Sequence, residues 1–155
     1  MISQHLATYL AERDVDFDVL RHERTPTIRA AAHAAHVPER WVAKGVVYED
    51  GSEFVMAVVP ANRSVDPLAV AMRIGHFVAL ADEADIETLL RDCARGAIPP
   101  LGEAWGVRTL VDPQLLERSE VWFEGGDHER LVHVQGPAFS RLVGGYETVP
   151  LARRH

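Results

Sequence analysis

The sequence predicts an α+β fold with a mixed sheet, and three observations carry that reading. Two pairs of β-branched runs stand at hairpin spacing, stretches of helical periodicity lie between and around them, and no single strand-helix-strand unit repeats. A chain of 155 residues with 47% hydrophobic and 25% charged content fits one globular domain over residues 1–155.

The elements follow in order. Ile2, Leu6, Tyr9 and Leu10 recur at helical spacing, so residues 3–13 read as an amphipathic helix. Phe17, Val19 and Leu20 form a short strand ending near His22. Residues 27–36 are alanine-rich, with Thr27 as N-cap and Pro38 as a stop, which predicts a second helix followed by one more turn at 38–41. Residues 42–48 and 53–59 flank Asp50 and Gly51, a hairpin signal. Asp66 and Pro67 open a helix to about Arg73, and Gly75 ends it. Residues 77–80 read as a short strand, 82–92 as a helix with Ile86, Leu89 and Leu90 on one face, and 107–111 as a further strand. Asp112 and Pro113 start a helical turn, and residues 121–124 and 131–134 make a second hairpin. Phe139 and Leu142 lie on the inner face of a closing helix.

Charge and composition exclude several function classes. A formal net charge of -7 argues against a broad cationic surface for nucleic acid and against a DNA partner, while leaving room for a local site. Arg40, Arg63, Arg73, Arg95 and Arg130 are the scattered arginines that such a site would gather. No apolar run approaches the roughly 18 residues of a membrane span, and the first residues lack a basic segment followed by an apolar one, so the expected location is the cytoplasm, with no membrane partner. Cys93, the single cysteine, forms no internal disulfide and reads as a buried structural thiol. The chain has no G-x-S-x-G, C-x-x-C, H-E-x-x-H or phosphate-binding P-loop motif, and prolines interrupt the glycines of residues 96–102. His33 and His36 are the only compactly spaced histidines and fit a helix surface, so neither metal nor cofactor is expected.

Among 16 basic residues Lys44 is the one lysine, set in an apolar run from Trp41 to Tyr48. A lysine is a compact charge whose pKa falls on burial, whereas a guanidinium is planar and always charged, so this position asks for something arginine does not supply. In period two Lys44 shares a strand face with Val42, Val46 and Tyr48, and Gly45 beside it leaves room for close approach of a ligand or another backbone. The loop Gly96, Ala97, Ile98, Pro99, Pro100 is stiffened by two prolines and suits a pocket wall, although it also suits a plain connector. The turn through Gly125, Gly126 and His128 has ordinary hairpin composition.

These residues carry a resemblance. His22-x-x-Thr25, Lys44-Gly45, the apolar run 56–61, Val65-Asp66, the loop 96–102, Val111-Asp112 and Phe123-x-Gly125-Gly126-x-His128 stand in the order and spacing of one family. Over about residues 20–143 the chain resembles the YbaK/prolyl-tRNA synthetase-associated (ProX-like) aminoacyl-tRNA editing domain family. The resemblance implies a barrel-like mixed β-sheet surrounded by helices, and a trans-editing deacylase that hydrolyses the ester of a tRNA mischarged with a small amino acid such as Cys, Ala or Ser. It implies that Lys44 is the essential catalytic lysine, and that His22, Thr25, Gly45, Gly96, Ala97, Ile98, Pro99, Pro100, Gly126 and His128 bind the substrate. The implied partners are the aminoacyl-tRNA acceptor end and an aminoacyl-tRNA synthetase. Gly45 departs from the Thr or Asn of several members, which leaves the amino acid unassigned.

Hydrolysis of such an ester needs orientation and a stabilised oxyanion rather than a side-chain nucleophile. The ammonium then has two possible destinations, the ester region or the terminal phosphate. Two other function classes stand beside the enzyme: a non-catalytic binding module for an aminoacyl derivative or a synthetase, and a purely structural or regulatory domain.

Overall fold

The computed structural model describes all residues from Met1 to His155. Helix α1 (Gln4–Glu12) starts where the Ser3 hydroxyl accepts the Leu6 N–H, and it buries Leu6, Tyr9 and Leu10. Strand β1 (Asp18–Arg21) follows, then α2 (Ile28–Ala34), capped by the Thr27 side chain, and a 3-10 turn at Glu39–Trp41. Strands β2 (Ala43–Glu49) and β3 (Phe54–Pro60) pair antiparallel in the register Lys44 to Val59 and Gly45 to Val58.

A short β4 (Ser64–Val65) leads into α3 (Pro67–Ile74), which ends at Gly75 in the left-handed region. Next come β5 (Ala79–Leu80), α4 (Glu83–Leu89), a 3-10 helix at Gly102–Trp105 and β6 (Arg108–Val111). A second 3-10 helix, Pro113–Glu117, precedes β7 (Glu120–Glu124), β8 (Arg130–Gln135), α5 (Gly136–Leu142), β9 (Glu147–Thr148) and β10 (Ala152–Arg153).

The strands form a five-stranded sheet in the order β5-β2-β3-β6-β9, a three-stranded sheet β1-β8-β7 and a β4-β10 pair. The large sheet is mixed, since β3 runs parallel to β6 and β6 parallel to β9. The main core lies on the sheet face that carries Ala43 and Val47, against Leu6, Leu10, Phe123 and Phe139. Tyr48 and Val46 face a smaller core with Val65, Val70 and Leu151, so Lys44 points to that second side as period two requires.

The mixed α+β arrangement is as expected, and the larger two sheets meet at an isolated parallel bridge between Val42 and Trp122. Two expectations change. The helix expected over 82–92 stops at Leu89, and Leu90 leaves helical geometry. The strand expected over 77–80 shrinks to Ala79–Leu80, because it pairs only with Tyr48 and Glu49 at the sheet edge while Phe77 is 96% exposed. Strands β4, β9 and β10 carry too short a pattern to be read in sequence, and tertiary contact makes them.

Candidate active site

Strand β2 presents Lys44 half-buried, and the side chain reaches past its neighbour β3 to donate a hydrogen bond to the Arg63 carbonyl at 2.5 Å. That uses one of three ammonium N–H groups. Burial, and secondarily the Arg29 guanidinium, lower the Lys44 pKa below its ordinary 10.5, while Glu39 opposes the shift. Glu39 itself is engaged by Arg29 at 2.5 Å and by His33 at 3.0 Å. The ammonium therefore has no carboxylate of its own, and its charge is available to a ligand.

Gly45 decides how the 96–100 loop meets the sheet. A Cβ at residue 45 would lie 3.1 Å from Met56 Sδ, 3.3 Å from Ile98 Cγ2 and 3.3 Å from the Pro100 Cα, so the loop backbone sits where a side chain would stand. Gly96 starts that loop at φ 79°, in the left-handed region. Ala97, Pro99 and Pro100 are buried beneath it, whereas Gly96 and Ile98 reach the surface.

The turn after β7 is fastened from within. Glu124 Oε2 accepts the N–H groups of Gly126 at 2.8 Å, Asp127 at 3.2 Å and His128 at 3.3 Å. Gly126 has φ 117° and packs so closely that an added Cβ would lie 3.2 Å from Cys93 Sγ. His128 Nε2 donates to the Arg95 carbonyl at 2.6 Å, and the His128 carbonyl accepts the Thr25 N–H at 3.2 Å. These bonds tie the segment at 22–25, the loop at 96–100 and the turn at 125–128 into one frame.

A cavity of about 280 Å³ opens in this frame, bordered by Lys44, Gly45, Gly96, Ile98, Glu83 and Glu124, with residues 26–28 completing the border. An adjoining cleft of about 480 Å³ shares Pro26 with it and is bordered by Arg24, Thr25, Arg95 and His128. Four of the sequence-predicted residues thus meet in the cavity and two in the cleft. Ala97, Pro99, Pro100 and Gly126 support the walls. His22 borders neither space: it is buried, its Nδ1 donates to the Glu23 carbonyl at 2.6 Å, and its Nε2 has no partner. A third recess of about 390 Å³, between α1 and the 3-10 helix Gly102–Trp105, borders none of the predicted residues.

Sequence reasoning missed Glu83, Glu124 and Arg24. The signal for Glu124 was present, since it is a charged residue directly after the buried Phe123 and before two glycines, a place where a carboxylate caps turn amides. Of the five scattered arginines only Arg95 reaches the cleft; Arg73 is tied to Glu147 and Arg130 to Asp127. Cys93 is no nucleophile, because burial, with Asp92 beside it, pushes its thiol up to about 12.

Residues 22–142 match the model of the aminoacyl-tRNA editing domain family. The multifunctional Ser/Thr-tRNA deacylase ProXp-y of Escherichia coli, in strain K12 and in O157:H7, is 28% identical over 146 residues, covering 90% of this chain and 87% of the relative. Among solved structures, a candidate trans-editing enzyme for prolyl tRNA synthetase superposes with a TM-score of 0.83 at 21% identity, covering 97% of this chain and 96% of the other. A hypothetical protein superposes with a TM-score of 0.84 at 20% identity, covering 97% of this chain and 100% of the other. The match to the family model spans the segments that build the cavity, from His22 through Lys44 and the 96–100 loop to the turn at 125–128, and this chain belongs to the aminoacyl-tRNA editing domain family.

Proposed function

We propose that the whole chain, residues 1–155, acts in the cytoplasm as a trans-editing deacylase, and that the Lys44 cavity is where it hydrolyses the ester of a mischarged tRNA. The observation that carries the proposal is a half-buried ammonium with no carboxylate partner, on a residue that borders a cavity beside a glycine-anchored loop. Its two remaining N–H groups are suited to the negative charge that develops on the ester carbonyl oxygen. Water adds to that carbon, the carbon–oxygen bond to the ribose breaks, and the ribose oxygen leaves with a proton. The 96–100 loop, held against Gly45, fixes the aminoacyl group, and a neighbouring ribose hydroxyl helps activate the water. With Cys93 holding its proton, no side-chain nucleophile is required.

The cleft at Arg24 and Arg95 takes the terminal phosphates. Arg24 donates only to a carbonyl, that of Asp127, and Arg95 is held loosely by Glu83 at 3.8 Å and Glu87 at 3.7 Å, so both guanidiniums remain available. A cavity of about 280 Å³ has room for small aminoacyl groups such as serine, threonine, alanine and cysteine. One methylene is worth only about 1–3 kcal/mol in such a pocket, so the site separates similar side chains weakly. The substrate reaches it from an aminoacyl-tRNA synthetase, either released or handed over.

The test is a deacylation screen on tRNAs charged with Ser, Thr, Ala, Cys and Pro, with Lys44→Ala as control. Turnover of small aminoacyl groups that disappears in the variant supports the proposal. Binding without turnover in both proteins would replace it with the non-catalytic module.

A further inference from the structure

Glu124 is a carboxylate at 4% exposure with no cation against it, at the border of the Lys44 cavity. Its Oε2 is occupied by three backbone N–H groups, of Gly126, Asp127 and His128. Its Oε1 has no hydrogen-bond partner, yet it is not sealed inside the protein as the unpartnered nitrogen of His22 is. Glu124 borders the cavity, which is the space at hand where a ligand would meet this oxygen. Burying an anion is costly unless a donor or cation meets it, and here the protein satisfies one oxygen and leaves the other to a ligand.

Lys44 supplies the complementary half, with no carboxylate within ion-pair distance. The cavity therefore offers one fixed anion and one fixed cation to a single ligand. An aminoacyl ester has the matching pair, an α-ammonium at one end and a carbonyl that gains negative charge at the other. Resting on the editing function proposed above, we infer that Glu124 Oε1 receives the α-ammonium of the substrate, so that the enzyme selects esters with a free amine over N-acylated ones. Glu83, on the first turn of α4 and held loosely by Arg95 at 3.8 Å, adds negative potential at the same border. Anchoring the amine sets the distance of the carbonyl from Lys44, and an acyl group on nitrogen removes the charge and adds bulk where the carboxylate sits. Peptidyl and formylated aminoacyl esters are the chemical classes this arrangement spares.

The experiment compares seryl-tRNA with N-acetylseryl-tRNA on wild type and Glu124→Gln, a substitution that keeps an acceptor oxygen for the turn amides. Wild type is expected to prefer the free amine by at least ~10-fold in kcat/KM, as sites with buried polar groups reject partners that leave them unpaired. In Glu124→Gln that ratio is expected to narrow toward one through loss on seryl-tRNA, with the thermal midpoint kept. Equal wild-type rates on both esters, or an equal loss on both in the variant, overturns the inference and leaves Glu124 as a turn brace. Calorimetry with 3′-seryl-amino-3′-deoxyadenosine and its N-acetyl form separates this from the hydrolytic reading, because the amide link is not cleaved. If the protein hydrolyses no ester, the deacylase proposal fails, and the affinity ratio of these two probes decides the carboxylate alone: equal affinities overturn it and a ~10-fold preference for the free amine upholds it. A variant that does not fold leaves the wild-type pair of probes to decide in the same way.

Discussion

Lys44 shows how much one side chain decides. An arginine at this position would carry a larger planar group into the space where the ammonium reaches the Arg63 carbonyl at 2.5 Å. Lys44→Ala and Lys44→Arg are both expected to lose about 10²–10³ in kcat/KM while remaining folded, as deletion of an oxyanion donor does; full activity in the arginine variant would show that charge alone suffices. Burial lowers the Lys44 pKa, so activity that needs the ammonium should fall as pH rises through a value below 10.5. The linkage has a definite sign. Between the folded and unfolded pKa values the unfolded chain holds more protons, so the stability contribution of this group rises with pH across that window, and below it the buried charge is a constant cost. Lys44→Met is accordingly expected to melt no lower than wild type at pH 7. For Gly96→Ala the added Cβ meets His128 at 3.6 Å, an ordinary contact, but φ 79° is strained for alanine by about 1 kcal/mol. A loss of activity greater than that stability change implies, read from kcat/KM against thermal melting, marks the loop as a substrate contact; matched losses mark a connector.

The elements are held together at a few buried polar points. Asp112, 2% exposed, receives the Gln114 N–H at 2.9 Å on one oxygen and the Leu151 and Ala152 N–H groups at 2.8 Å on the other. It thereby joins the end of β6 to the start of β10, and the Asp66 N–H donates to the Leu151 carbonyl at 2.8 Å beside it. Asp112→Ala strands three amides and is expected to cost about 3–5 kcal/mol by urea denaturation, at about 1 kcal/mol or more per unmet group, with little change in kcat where the protein is folded. Glu147 on β9 ties Arg108 of β6 at 2.6 Å and Arg73 of α3 at 3.0 Å. The hydrogen bond from Arg108 chiefly, with that from Arg73, brings its carboxyl down to about 2 against the opposing effect of burial. The folded pKa is the lower one, so this contribution is present above the ordinary 4.5 and is lost as pH falls toward 2. Because the ion pairs are partly exposed, Glu147→Gln is expected to cost about 1 kcal/mol at pH 7 and progressively less below pH 4.5.

For the whole molecule, a net charge of -7 limits how nucleic acid is held. No helix is long and apolar enough to cross a membrane. With Arg24 and Arg95 the cations of the cleft, tRNA binding depends on few phosphates, and log affinity against log salt should be shallow at about -0.7 to -0.9 for each one neutralised. Arg24→Ala and Arg95→Ala should each reduce that slope by about one phosphate and raise KM for charged tRNA, leaving the order of amino-acid preference unchanged. A steep slope in wild type would point to an extended basic track. Arg130, one of the five scattered arginines and close in sequence to the turn at 125–128, is already paired with Asp127, and Arg130→Ala should act on stability instead.

The sequence by itself determined the helices, the two hairpins, the strand position of Lys44 and the close approach permitted at Gly45, because caps, prolines, glycines and period-two patterns act over a few residues. It also carried the ordered motifs that place the chain in its family. Tertiary structure decided which residues share the cavity. The carboxylate of Glu124 becomes a partly unmet anion only when its own turn folds back on it, and Arg24 and Arg95 become neighbours only when the His128 carbonyl takes the Thr25 N–H and the His128 ring binds the Arg95 carbonyl. The same holds for β4, β9 and β10: strands of two residues have no periodicity to read, and pairing with distant partners is what forms them.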